Sequence, residues 1–132
     1  MPDPALRSGP GRVLVAVYAI FAVAATARSA VQLGTRFGDA PVAYLLSAVA
    51  AVVYVVATAA LARGGRRLAL AAVLIELTGV LVVGTASIVV PQEFPDATVW
   101  SFYGAGYGFV PLVLPPLGLL WLRRTARTAS SR

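Results

Sequence analysis

The stretch LALAAVLIELTGVLVVGTASIVV, Leu68 to Val90, decides the fold. A bilayer crossing takes about 20 apolar residues; this run is long enough, yet it carries a carboxylate, Glu76, inside it. A charge at that depth needs a partner or a purpose. Three further apolar runs of similar length lie around it, at about 13–33, 41–62 and 100–122. Together they predict an all-α chain: one transmembrane domain forming an integral membrane four-helix bundle. The tails 1–12 and 124–132 are expected to be flexible, the first because of Pro2, Pro4, Gly9, Pro10 and Gly11, the second because it has no apolar residue beyond alanine.

Composition supports this class and removes others. The chain has 132 residues, 59% hydrophobic and 12% charged, against about 25% charged in an ordinary soluble domain. It contains no Cys, His or Lys, and its 11 basic residues are all arginine. That excludes disulfides, thiolate and imidazole chemistry, Schiff bases and most metal sites, so no metal or cofactor is expected. Ser29, Ser47 and Ser87 have no imidazole or lysine to activate them, and an enzyme is not expected. The net charge of +6 sits in links and tails beside apolar runs, which points to the bilayer surface as partner and away from nucleic acid.

The links set the order of the spans. Ala25-Thr26-Ala27 has the look of a signal-peptide cleavage site, but apolar character resumes after Arg28 and Ser29, so a retained first span is expected. Gly34 to Asp39 is turn-rich, with Asp39 placed to cap a second helix that has Pro41 in its first turn. Gly64 and Gly65 break the chain before the third span. Pro91 to Asp96 is the acidic link, and Asp96 is placed to cap a short interfacial turn to Trp100. If the first tail, the Arg63–Arg67 link and the last tail share a side, they hold Arg7, Arg12, Arg63, Arg66, Arg67, Arg123, Arg124, Arg127 and Arg132, leaving only Arg28 and Arg36 opposite. That asymmetry predicts N and C termini in the cytoplasm. Trp100 and Trp121 would bracket the fourth span at roughly 31 Å, the spacing of two aromatic belts.

Depth can be counted from the flanking arginines at about 1.5 Å per residue. Glu76 and Tyr54 come out nearly level, which predicts a phenol donating to the buried carboxyl. Arg28 and Tyr107 both lie roughly 24 Å from the basic side. Pro111, Pro115 and Pro116 lack the N–H groups that a helix would offer to the carbonyls of Tyr107, Pro111 and Leu112, so the fourth helix is expected to be kinked by its prolines. On that reading Arg28 donates to the freed Tyr107 carbonyl, steadied by Gln32, or else extends to the outer headgroups. Gly104 and Gly108 form a GxxxG spacing, and Ala22, Thr26 and Ala30 a small-residue stripe, both suited to helix packing within the chain or to a homo-oligomer seam.

Two resemblances bear on function. Size, four spans and an intramembrane glutamate resemble the small multidrug resistance transporters, in which the essential glutamate lies in the first span; here that span has none. A proton-coupled carrier using Glu76 is therefore the alternative expectation. The runs Arg28-Ser-Ala-Val-Gln32, Pro41 to Ser47, Glu76-Leu-Thr-Gly79, Val99 to Gly104 and Pro111-Leu-Val-Leu-Pro115 together resemble a group of small four-span integral membrane proteins of actinobacteria. The resemblance implies a multi-pass protein of the bacterial plasma membrane. It adds no function; an accessory or interaction role, with another membrane protein or a second copy as partner, is expected from the lack of catalytic residues.

Overall fold

A computed structural model describes residues 9–35, 37–39, 41–94 and 98–130. The first eight residues, Arg36, the Asp96 cap and Arg132 lie outside them. Four α-helices make up most of the rest: α1 (Gly9–Thr35), α2 (Pro41–Arg63), α3 (Arg66–Val89) and α4 (Val110–Ser130). The first three are long and apolar enough to cross a membrane, and a fourth crossing results if α4 is joined to the bent segment before it. Helix α1 begins at Gly9 and α4 continues to Ser130, so both extend into stretches expected to be flexible tails.

Each long helix buries one stripe. In α1 it runs through Leu14, Tyr18, Phe21, Ala25, Ser29 and Gln32; in α3 through Ala69, Val73, Glu76, Val80, Val83 and Ser87. These are helical spacings of three and four. Where α1 meets α2, the buried residues include Ala22, Ala25 and Ser29 on one side and Ser47, Ala50, Ala51 and Ala57 on the other. Small side chains let backbones approach, and in lipid that close packing replaces the hydrophobic effect as the driving force. The Ala22-Thr26-Ala30 stripe is not the seam within the chain: Thr26 and Ala30 are exposed. Arg63 ends α2, and Gly64, at φ +72°, turns the chain while Gly65 donates to the Ala60 carbonyl at 2.7 Å.

The fourth segment departs most from expectation. It is broken, and the break precedes the prolines. A short helical piece, Ser101–Tyr107, meets α4 at 98°. Phe102, Tyr103 and Gly104 follow one another in left-handed conformation (φ 51°, 61° and 86°), and Gly108 and Phe109 repeat it at 64° and 60°. For the three non-glycine residues this costs about 1–2 kcal/mol each. Pro111 falls in the first turn of α4, where a missing N–H leaves nothing unpaired, while Pro115 and Pro116 sit inside the helix. The GxxxG pair is therefore not a helix face. Gly104 lies under Pro111, whose ring carbons would stand 2.7 Å from a Cβ, and Gly108 closes the short helical piece.

Candidate functional site

Glu76 occupies the middle of the α3 stripe and is completely buried. Its Oε1 accepts a 2.5 Å hydrogen bond from the Tyr18 hydroxyl of α1, while Oε2 has no hydrogen-bond partner. The expected donor, Tyr54 of α2, is equally buried; its hydroxyl accepts from Trp100 Nε1 at 3.0 Å and keeps its own proton for the neighbouring Glu76 carboxyl. Its ring packs 6.2 Å from Tyr18 and 5.5 Å from Phe21, centroid to centroid. Counting depth had brought α2 and α3 level; the same count places Tyr18, six residues past Arg12, about 9 Å in, beside both. Tyr18 was thus findable by extending that count to the first span.

Trp100 was expected at the membrane surface and is instead 2% exposed. It lies over Gly79 of α3, and Tyr103 lies over Gly84 of the same helix; a Cβ at either glycine would overlap the ring. These two glycines are where the fourth segment approaches α3 closely, whereas Gly104 meets only Pro111 of its own segment and Gly108 meets open space. Trp121, the other expected belt residue, is half-buried.

The turn that carries Trp100 into the core brings polar backbone with it, and side-chain hydroxyls satisfy much of it. Thr98 N donates to Ser101 Oγ at 2.8 Å, Trp100 N to Thr98 Oγ1 at 3.1 Å, and Phe102 N to Ser87 Oγ at 2.9 Å. Ser87 in turn donates to the Gly84 carbonyl at 2.8 Å. Irregular backbone at membrane depth persists only when protein groups take over its hydrogen bonds, and here hydroxyls do so.

Arg28 and Tyr107 come together as their depths suggested, through a different atom. Arg28 Nη1 donates to the Tyr107 hydroxyl at 2.8 Å. No carbonyl was freed by Pro111, because the helix starts only at Val110. Tyr107 is held in turn by Phe21, at 5.7 Å between ring centroids. Gln32 is 3% exposed and its Oε1 has no hydrogen-bond partner, so it does not steady Arg28 in the expected way. Of the packing prolines, Pro111 and Pro115 are fully buried and Pro116 is exposed. At the basic end, Arg66 of α3 donates to the Leu122 carbonyl and, at 2.9 Å, to Thr125 Oγ1, tying the start of α3 to α4.

The centre of the protein is therefore a carboxyl beside Tyr18 and Tyr54, the latter bonded to Trp100, with a guanidinium–phenol pair on the far side of Phe21. No protein-family model, curated protein or solved structure matches the chain.

Proposed function

We propose that this is a four-span protein of the bacterial plasma membrane, both termini cytoplasmic, that acts as an accessory or interaction subunit for another membrane protein. The sealed state of Glu76 carries this reading. A carrier's titratable group must meet water from one side and then the other, whereas Glu76 is wholly buried and lines neither the groove between α1 and α4 nor the one beside Gly79 and Trp100. A carboxyl that fastens Tyr18 of α1 to α3 is a packing device, and what it stabilises is the apolar outer surface, where Val23, Val31, Val52, Val82 and Val89 are among the large exposed side chains. The distribution of arginines supports the orientation, and the likeness to small actinobacterial four-span proteins supports the location.

One observation favours the alternative, a small proton-coupled carrier. Glu76 Oε2 has no hydrogen bond within 3.5 Å, and Trp100, bonded to the neighbouring Tyr54, lies at the start of the broken fourth segment. Broken helices at a buried charge are the usual construction of carrier sites. Reconstitution separates the readings: with an imposed pH gradient, proteoliposomes of the native chain and of Glu76→Gln should show equal and negligible proton-coupled uptake of lipophilic cations. Uptake that the native chain supports and Glu76→Gln loses would overturn the accessory role.

A further inference from the structure

Helix α1 packs along α2, α2 along α3, and α3 along both α4 and the Ser101–Tyr107 piece, while the first and last helices meet only sparsely. On that seam lies a groove of about 480 Å³, walled by Val13 and Val17 of α1 and by Leu114, Leu117 and Trp121 of α4, with Arg124 at its end. From Leu114 to Arg124 it follows α4 for about 15 Å, half the thickness of a bilayer core. Its walls are apolar along this length, and its one charged lining residue, the exposed Arg124, stands at the end where Arg12 and Arg123 are exposed as well.

A slot half a bilayer deep, greasy along its length and cationic at its mouth, has the profile of one phospholipid: chain inside, phosphate at the interface. The guanidinium favours phosphate, which it binds through two parallel N–H donors. A zwitterionic headgroup would bring its own cation to the end of the groove that Arg124 lines. We infer that the α1–α4 seam binds one anionic phospholipid from the leaflet facing the basic helix ends, with an acyl chain between Val17 and Leu117 and the phosphate on Arg124. The lipid supplies the packing that side chains supply at the other seams. This inference rests on the membrane-spanning reading alone and is indifferent to the role of Glu76.

The test uses the full chain in nanodiscs of equal parts phosphatidylglycerol and phosphatidylcholine, released for native mass spectrometry. One phosphatidylglycerol should stay bound in preference to phosphatidylcholine. Arg124→Gln should lower its retention several-fold, and Arg67→Gln, at the same end but on α3 and outside the groove, should leave it unchanged. Leu117→Trp, which fills the slot, should also release the lipid; should that variant fail to fold, the arginine pair decides alone. Equal loss from Arg124→Gln and Arg67→Gln would mean diffuse charge attraction, and absence of headgroup preference would mean ordinary solvation by lipid. Either result overturns the site, as would a dimer that Leu117→Trp dissociates while phosphatidylglycerol retention is unchanged.

Discussion

Tyr18 and Glu76 form the bond on which the buried stripe of α1 depends, and removing either partner has different consequences. Tyr18→Phe keeps the ring and deletes the hydroxyl, taking from the buried carboxyl its 2.5 Å hydrogen bond; the expected loss is about 1–3 kcal/mol of stability, read from thermal unfolding in detergent. Glu76→Gln retains an acceptor for Tyr18 and should unfold within a few degrees of the native chain. If Glu76→Gln proved the more damaging of the two, a charge on Glu76 rather than the hydrogen bond would be what matters. Arg28→Leu and Tyr107→Phe should couple in a double-mutant cycle, each erasing the same 2.8 Å bond, and Pro111→Ala should give Arg28→Leu no rescue, since Pro111 begins a helix and frees no carbonyl. The sequence made Glu76, Arg28 and Tyr107 conspicuous because depth along a helix can be counted. Rotation about the helix axis and the identity of the bonding atom cannot, which is why the count brings Tyr18 level with Glu76 without choosing it over Tyr54, and does not choose the Tyr107 hydroxyl over its carbonyl.

Among the elements, α1, α2 and α3 were legible because a long apolar run has few alternatives in a membrane. The fourth was not. Nothing local marks Phe102 and Tyr103 as left-handed, since bulky residues rarely adopt positive φ; they do so because Ser87 takes the Phe102 N–H and Gly84 makes room for Tyr103, both on another helix. The glycines of this region should accordingly respond in graded fashion. Gly106→Ala meets open space and should be neutral; Gly108→Ala also meets open space but at φ +64°, and should cost about 1–2 kcal/mol through backbone strain. Gly79→Ala places a methyl in the Trp100 ring and should cost about 1–3 kcal/mol, with Trp fluorescence shifted as the indole is pushed from the core. Equal effects at all three positions would mean that the turn is not held as described.

At the scale of the whole molecule, the proposed orientation rests on the arginines. Ala62→Cys and Ser130→Cys should be shielded from a membrane-impermeant thiol reagent in intact cells, and Gln92→Cys, in the acidic link, should react. Labelling at Ser130→Cys would reverse the orientation. Because Arg66 joins the start of α3 to Leu122 and Thr125 of α4, the first two of these sites belong to one end of the protein whichever way it lies.

The seating of Trp100 and Tyr103 on Gly79 and Gly84 has a consequence for biosynthesis. From Val110 to Arg123 there is only about 20 Å of helix, too little to partition as a span across a hydrocarbon core of about 30 Å. The left-handed turn ahead of it exposes backbone that lipid cannot solvate. The last third of the chain thus has no stable place in the bilayer until α2 and α3 are already there to receive it, and insertion becomes sequential: three helices partition, and the fourth segment docks. Expressed as two pieces, residues 1–94 should integrate alone, whereas residues 98–132 should resist alkaline extraction only when the first piece is co-expressed.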